Sequence, residues 1–148
     1  LVRIEDIVDF ANTRLGKSKR YSPEISYQAG RHVELEIEHT HQTFDVQGGR
    51  LFTADLTDLR MTYQFNVRSF LRFVVQYGDT ERDKSLYVRP VQALSREMTT
   101  QLLYSYKLNP QTLFYLGYSD AGFQNDGLNT IETSNKTVFA KFSYAWQP

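Results

Sequence analysis

The sequence contains no cysteine in its 148 residues. This absence excludes a disulfide framework, a zinc–thiolate site and a thiol nucleophile. The chain also lacks a net charge, because 17 lysines and arginines balance 17 aspartates and glutamates. A nucleic-acid-binding protein normally carries a basic excess on one face, so the balance argues against that class. The length suits a single domain, residues 1–148.

Long apolar runs are missing as well. No stretch approaches 18 consecutive apolar residues, so the sequence predicts no transmembrane helix. The first ten residues have neither an initiator methionine nor the basic and apolar regions of an export signal. We therefore expect a mature or truncated piece of a longer protein. Aromatic residues, by contrast, are abundant, with ten tyrosines, ten phenylalanines and one tryptophan.

The segment 136–146 has the most informative pattern in the chain. Its apolar residues fall on one face of an extended strand: Val138, Ala140, Phe142, Tyr144 and Trp146. On the other face Thr137, Lys141 and Ser143 are polar, and Phe139 is out of pattern. This pattern also suits a strand over a soluble core. An apolar face ending in aromatics beside the C-terminus is nevertheless typical of the closing strand of an outer-membrane β-barrel. We predict that Phe142, Tyr144 and Trp146 form the C-terminal signal for the barrel-assembly machinery.

The same alternation recurs upstream. It predicts eight extended segments, at 2–10, 22–29, 32–44, 51–65, 68–80, 96–107, 112–120 and 136–146. A helical pattern occurs only at 85–98. Predicted connections are tight at 30–31, 66–67 and 108–111, and longer at 12–21, 45–50, 81–95 and 121–135. The alternation slips at 54–58, where we expect a β-bulge. Short turns at one end and long loops at the other predict an all-β, antiparallel, up-and-down transmembrane β-barrel of about eight strands.

Charged residues alternate with the apolar ones in the middle of the chain. Five of them are predicted to share the polar face and to form a lumen charge network: Glu34, Glu36, Glu38, Arg60 and Arg72. The three glutamates would then face the two arginines of later strands. Such a network either filters a solute or fills a narrow interior with ion pairs. In both cases the apolar face meets lipid.

Aromatic residues gather toward the predicted short-turn end. Five of them are expected to form a girdle at the membrane–water boundary: Tyr104, Tyr106, Tyr118, Tyr144 and Trp146. An amphipathic ring gains from both phases at that boundary. A stacking platform for sugars is the alternative.

The histidines suggest two kinds of site, a metal site and the catalytic site of a serine hydrolase. His39 and His41 share a strand face, as two metal ligands would, but no carboxylate clearly joins them there, so we expect no metal site. A serine hydrolase needs a serine, a histidine and an orienting acid or amide in one cluster. His39 with Ser26 or Ser69 is the crudest candidate, and no nucleophile elbow supports it. We predict no catalytic residue and no cofactor.

Several stretches resemble a known family. They are 49–60, 63–68, 76–83 and 103–120, and the most specific is Tyr-Lys-Leu-Asn-Pro-Gln-Thr at 106–112. From about Asp9 to Trp146 the chain is similar to the C-terminal region of the bacterial domain-of-unknown-function 5916 family. In that family a carbohydrate-binding family 9-like domain typically precedes a predicted outer-membrane barrel. The resemblance implies location and architecture, and it implies that these strands belong to a larger barrel. It implies no reaction and no sugar-binding residue here.

Together these patterns predict a porin-like protein of the Gram-negative outer membrane. We expect it to act without catalysis, as a narrow channel or transport component, or as the membrane anchor of an exported carbohydrate-binding domain. Its expected partners are outer-membrane lipid, the barrel-assembly machinery and an upstream carbohydrate-binding domain of the same protein, and not nucleic acid. Two alternatives remain open, a soluble lipocalin-like barrel around a small apolar ligand and a lipid-acting outer-membrane hydrolase.

Overall fold

A computed structural model describes residues 1–10, 13–109 and 111–144, which fold into a single antiparallel β-sheet. Its nine strands are β1 (Val2–Asp9), β2 (Arg14–Tyr21), β3 (Glu24–Ala29), β4 (Val33–Val46), β5 (Gly49–Asn66), β6 (Ser69–Arg82), β7 (Leu94–Asn109), β8 (Thr112–Asn125) and β9 (Glu132–Tyr144). Apart from β2 and β3, which both pair with β4, strands that are consecutive in sequence pair with each other, which makes the topology up-and-down. The predicted all-β, antiparallel, up-and-down class is confirmed.

Strands β2 and β3 lie end to end in one line beside β4. Tyr21 of β2 lies opposite His41, and Glu24 of β3 lies opposite Glu38, so both strands follow one continuous register on β4. The interruption is Pro23, which has no backbone N–H to give the ladder. Its carbonyl still accepts a hydrogen bond of 3.1 Å from the His39 N–H. The nine strands therefore fill eight positions across the sheet, the number that the sequence predicts.

The strands are longer than predicted, and three predicted features are wrong. Much of the predicted loop 12–21 is strand β2. The predicted loop 45–50 is a two-residue turn at 47–48. Gly48 in the turn and Gly49, the first residue of β5, adopt φ of 111° and 139°, which side-chain-bearing residues rarely adopt. In place of the helical segment 85–98, a 3₁₀ turn covers Lys84–Leu86 and β7 begins at Leu94. No other helix lies in the described residues, and none there is long and apolar enough to cross a membrane.

The predicted bulge at 54–58 is also absent. Strand β5 keeps one register with both neighbours from Phe52 to Gln64, and its irregularities lie at the strand ends. The residues at 54–58 are more polar than those that follow, but their side chains keep alternating between the two faces of the sheet.

The connections differ between the two ends of the sheet. At one end, here called the short-turn end, they comprise residues 30–32, 67–68 and 110–111. At the other end, the long-loop end, they comprise residues 10–13, 47–48, 83–93 and 126–131. The predicted segregation of short turns holds at the short-turn end, and the turn at 47–48 breaks the pattern at the other.

The sheet is open and consists of one layer. In the described part of the chain, β1 and β9 are its two edges and do not pair with each other. Only two apolar side chains are buried there, Phe44 at 6% and Leu51 at 2% exposure. Large apolar side chains such as Ile25 and Val138 remain 66% and 72% exposed. The sheet therefore has no interior of its own along most of its length.

Asp126 joins the two longest connections at the long-loop end. Its carboxylate accepts hydrogen bonds from the backbone N–H groups of Ala93 (3.0 Å) and Leu94 (2.6 Å) and forms an ion pair with Lys84. Lys84 and these two N–H groups lower the pKa of Asp126 to about 2. A carboxyl group with a lowered folded-state pKa stabilises the folded state above its ordinary pKa, and that contribution disappears as the pH falls toward the folded-state value.

We expect the junction between the two loops to open between about pH 4 and pH 2. Amide hydrogen exchange should show protection of Ala93 and Leu94 at pH 5 and its loss near pH 2. Asp126→Asn should lose this protection already at pH 5. The matched control is Asp83→Asn, which removes a carboxylate that accepts from the N–H of Ser85 (2.9 Å) and from its hydroxyl (2.6 Å). Equal protection in the parent chain and in Asp126→Asn at pH 5 would contradict the assignment.

Candidate functional site

Directly opposite residues on paired strands point to the same face of a sheet, so the registers sort the side chains into rows. One face carries three consecutive rows that are largely apolar, here called the apolar belt. They are Val33, Tyr63, Leu71, Tyr104, Leu116 and Ala140; Tyr27, Leu35, Met61, Phe73, Leu102, Tyr118 and Val138; and Ile25, Ile37, Leu59 and Val75. Beyond Val75 the third row is polar, with Thr100, Asp120 and Lys136 on β7 to β9. The belt crosses the sheet from β3 to β9 in the half nearer the short-turn end.

Polar residues replace the belt toward the long-loop end of the same face. Five of them, here called the polar rim, lie in adjoining rows: His39, His41, Asp55, Asp79 and Arg96. The Asp55 carboxylate is 2.7 Å from Nδ1 of His41 and 3.5 Å from Nε2 of His39. Nε of Arg96 donates to Asp79 over 2.8 Å. The strands thus continue beyond the belt with a hydrogen-bonded, charged surface.

The opposite face is polar at the height of the belt. Glu36 and Arg60 lie directly across from each other, and Nη1 of Arg60 donates to Oε2 of Glu36 over 2.9 Å. Nη2 of Arg60 is also 3.9 Å from the Asp58 carboxylate. Both partners of the Glu36–Arg60 pair are partly exposed, so in water the pair would contribute only about 0–1 kcal/mol.

Arg72 and Glu34 lie in the next row, with Thr62 between them. The Arg72 guanidinium lies over the Phe70 ring, 5.4 Å from its centre. A shallow cavity of about 150 Å³ opens here, lined by Glu34, Glu36, Arg60, Thr62 and Arg72. Four of the five predicted network residues therefore share one polar hollow.

Glu38 differs from the other network residues. Its register partners are Glu24 on one side and Asp58 on the other, so three carboxylates form a row. Gln76 donates to Asp58 over 2.6 Å, which partly offsets the repulsion. The expectation that all three glutamates face arginines is wrong for Glu38, because the register places Arg60 opposite Glu36 instead. Like charges directly opposite each other destabilise a sheet.

The predicted girdle residues all lie on the apolar face where the structure describes them. Tyr104 and Tyr106 are on β7, and Tyr144 is at the end of β9, all toward the short-turn end. Tyr118 lies one row above Tyr104, and its hydroxyl donates to Asp120 over 3.0 Å. Trp146 lies outside the described residues. Of the predicted C-terminal signal, Phe142 and Tyr144 are described, and both are more than half exposed on edge strand β9.

Further aromatic contacts lie close to Tyr104 at this end. The Phe65 ring is 6.3 Å from that of Tyr104 and 4.8 Å from that of Tyr63, both edge-on. His32 stacks on Tyr63 at 6.2 Å. Sequence reasoning did not include Phe65 and Tyr63 in the girdle, although their alternation with Thr62 and Gln64 was visible.

Two of the aromatic residues on the polar face, Phe139 and Phe44, lie over glycines of neighbouring strands. Phe139 lies opposite Gly117, and its ring covers the space that a side chain at Gly117 would fill. The Phe44 ring covers Gly16 of β2 in the same way, 2.6 Å from the place of a Cβ there. An aromatic ring over a glycine of the neighbouring strand restores packing that the glycine cannot supply. Phe139, unexplained by the sequence pattern, is therefore a cross-strand partner.

The expectation that no carboxylate joins the histidines on their face is wrong, because Asp55 contacts both His39 and His41 there. The serines of the hydrolase candidate, in contrast, lie apart from His39. Ser26 lies on the polar face and His39 on the opposite one, while Ser69 lies at the short-turn end. In the described residues no group of three or more metal-ligating side chains is placed to hold a metal ion. His39 donates to or accepts from Thr57, 2.9 Å away.

Sequence reasoning missed Asp55, Asp79 and Arg96 of the polar rim. Counting back by twos from Leu59 would have placed Asp55 on the face of His39 and His41. The expected bulge at 54–58 concealed this relation.

We predict that Gly117→Ala destabilises the folded chain by about 1–3 kcal/mol, because the Phe139 ring must move to admit a Cβ. The double variant Gly117→Ala/Phe139→Ala should recover part of the loss, since it removes the clash. Gly78→Ala is the matched control, because the nearest side-chain atom there, on Leu56, is 3.9 Å from a Cβ. Equal midpoints of denaturant unfolding for Gly117→Ala and Gly78→Ala would contradict the packing described.

Three comparisons with known proteins complete the description of the site. No protein-family model matches the chain. No curated protein and no solved structure matches it either.

Proposed function

We propose that this sheet is part of an outer-membrane β-barrel whose apolar belt meets lipid and whose charged face lines the interior. The observation that carries the proposal is that the apolar belt on one face and the charged residues on the opposite face lie at the same level along the strands. Leu35, Met61 and Phe73 form a row on one face, and their chain neighbours Glu36, Arg60 and Arg72 lie on the other. Apolar outside and polar inside is the arrangement of membrane barrels.

The exposed area of the belt supports lipid as the phase that covers it. Single-layer sheets cannot shield an apolar face from water by themselves, and no second layer covers the belt in the described residues. Each Å² of apolar surface removed from water contributes about 25 cal/mol. Several belt side chains are more than a third exposed, among them Ile25, Met61 and Val138. Hydrocarbon would supply the burial that the chain does not.

The position of the belt along the strands supports one orientation in the membrane. On β5 the belt runs from Leu59 to Tyr63, and Phe65 extends the apolar stretch to about 20 Å along the strand. A tilt of about 35–45° reduces this to a height of about 15 Å, which fills part of the ~25 Å apolar band of an outer-membrane barrel. Toward the long-loop end the same face continues with Thr57, and the polar rim follows with Asp55. In this orientation the rim and the long loops project beyond the bilayer, and the short turns lie on the periplasmic side.

The charged face has the features of a narrow interior. Shallow cavities open on it, one beside Glu36 and Arg60 and another beside Arg3, Glu5 and Arg20. At the long-loop end the connection 83–93 folds toward this face, where Arg14 donates to the Leu86 carbonyl. We propose a narrow channel or transport component, or a membrane anchor for an exported carbohydrate-binding domain, without catalysis. The anchor follows from the family resemblance of the sequence, and the exposed aromatic side chains of Phe142 and Tyr144 on β9 support recognition by the barrel-assembly machinery.

The test of the proposal is refolding of the purified chain with and without detergent micelles or lipid vesicles. We expect strands and heat-modifiable gel migration only with detergent or lipid, because the apolar belt needs a hydrocarbon phase. A stable monomer in plain buffer would overturn the proposal and favour a soluble barrel around an apolar ligand.

Two adjacent residues give a matched pair of variants. Phe73→Arg places a charge in the belt, and Val74→Arg places the same charge at the same height on the polar face. We expect Phe73→Arg to lose about 2–4 kcal/mol or more of stability in vesicles, and Val74→Arg much less. Urea unfolding in vesicles measures both. Equal losses would show that the two faces do not meet different phases.

A further inference from the structure

The open edge of β3 lies within the apolar belt. Strand β1 covers the upper part of the β2–β3 line and ends at Val2, opposite Tyr21. Leu1 completes the pairing, since its N–H and carbonyl both bond to Ser22, at 2.9 and 2.8 Å. Below this point no strand lies beside Glu24–Ala29 on its outer side, within the residues that the structure describes.

The outward backbone groups of this edge follow from the alternation of the ladder. Ser22 directs its N–H and carbonyl outward to Leu1, while Pro23 directs its carbonyl inward to His39. The N–H and carbonyl groups of Glu24, Ser26 and Gln28 therefore point outward. An unsatisfied backbone group costs several kcal/mol in hydrocarbon, so a membrane sheet cannot keep this edge open.

The number of strands at the level of the belt also calls for a further strand beside β3. At the height of the belt the described residues supply seven strands, β3 to β9. With seven strands in an alternating order, β3 and β9 run in the same direction. They cannot close on each other as an antiparallel pair. Single-chain bacterial barrels have even strand numbers for this reason.

We propose that the open edge of β3 is the docking site of one further extended polypeptide strand, running antiparallel to β3 in line with β1. This inference rests on the proposed function, because the lipid phase is what forbids an open edge. The occupant would continue the β1–β2 register and would present its other side to β9 in the antiparallel sense.

A second copy of this chain does not fit the site. Copies inserted in one membrane share one orientation, so the β3 or β9 edge of a second copy would run parallel to this β3. The occupant must run the opposite way, from the short-turn end toward Leu1.

The register also defines the chemistry of the occupant. Counting outward from the pair Leu1–Ser22, residues one, two and three positions before Leu1 oppose Pro23, Glu24 and Ile25. The residue opposite Glu24 lies on the polar face beside the carboxylates of Glu24 and Glu38, so a basic side chain complements it. Residues opposite Ile25, Tyr27 and Ala29 lie on the apolar face. The site therefore takes an alternating strand with lipid-facing apolar residues and a basic residue near Leu1.

The test joins a seven-residue probe, Val-Thr-Val-Thr-Cys-Arg-Thr, to the amino group of Leu1 in the full chain. Its cysteine opposes position 25 in a pair without ladder hydrogen bonds, where Cα atoms lie about 4.5 Å apart, within disulfide range. Because the chain has no cysteine, Ile25→Cys creates the one possible partner. Ser26→Cys is the matched control, since its side chain lies on the other face.

After mild oxidation in micelles, we expect most of the Ile25→Cys chain to form the intramolecular disulfide and little of the Ser26→Cys chain to do so. Equal or absent cross-linking at position 25, in chains that keep heat-modifiable migration, overturns the docking site and leaves the proposed function standing. Loss of folding in the extended chain alone, with Ile25→Cys folding when unextended, overturns it too.

A second measurement uses no cysteine. The probe Val-Thr-Val-Thr-Val-Arg-Thr should raise the Tm in micelles by about 3 °C or more. The control Thr-Val-Thr-Val-Arg-Val-Thr has the same composition with its faces exchanged, and it should give no increase. Equal shifts would overturn the register. If the parent chain folds only in buffer, the proposed function fails, and the same disulfide assay in buffer decides the docking site.

Discussion

The antiparallel hydrogen-bond ladder is the constraint on which the rest of this structure depends. It satisfies the backbone of long strands without help from a packed interior, and the described residues bury only Phe44 and Leu51 as apolar side chains. A ladder fixes two faces but does not determine what covers them. The free energy of the fold therefore depends on the phase that meets each face, and the distribution of apolar and charged side chains indicates that the phases differ.

The strands are longer than the belt, and this excess explains several local features. Beyond Ile37 and Leu59, the same face carries histidines, aspartates and Arg96 in hydrogen-bonded contact. Asp6 of β1 alternates with apolar residues of its strand, and it lies opposite Lys17 well above the belt. In the proposed membrane orientation, these charges lie beyond the hydrocarbon, where charged residues on the outer side of a barrel cost little.

The period-2 pattern was enough to predict strand directions, faces and most pairings. Glu36 lies opposite Arg60 because the turn at 47–48 joins β4 and β5 as an antiparallel hairpin. The pattern failed where both faces are polar. Strand β2, with Arg14, Lys17 and Arg20, carries little apolar alternation above the belt, so its residues read as a loop.

The slip expected at 54–58 failed for a related reason. The sequence reports a change of polarity, and it does not distinguish a change of register from a change of surroundings. The partner of Phe139 was equally invisible, because Gly117 lies 22 positions away and only the β8–β9 register brings the two together. The neighbour of Glu38 likewise depended on a register that hydrophobic alternation fixes only to within two residues.

The most direct measurement compares the aqueous reactivity of two adjacent positions at the height of the belt. Met61→Cys and Thr62→Cys introduce unique thiols on the apolar and the polar face, since the chain has no cysteine. In lipid vesicles, a charged maleimide should label Thr62→Cys readily and Met61→Cys very slowly, and a lipid-soluble maleimide should reverse the order. Rapid labelling of Met61→Cys by the charged reagent, with Thr62→Cys protected, would contradict the account.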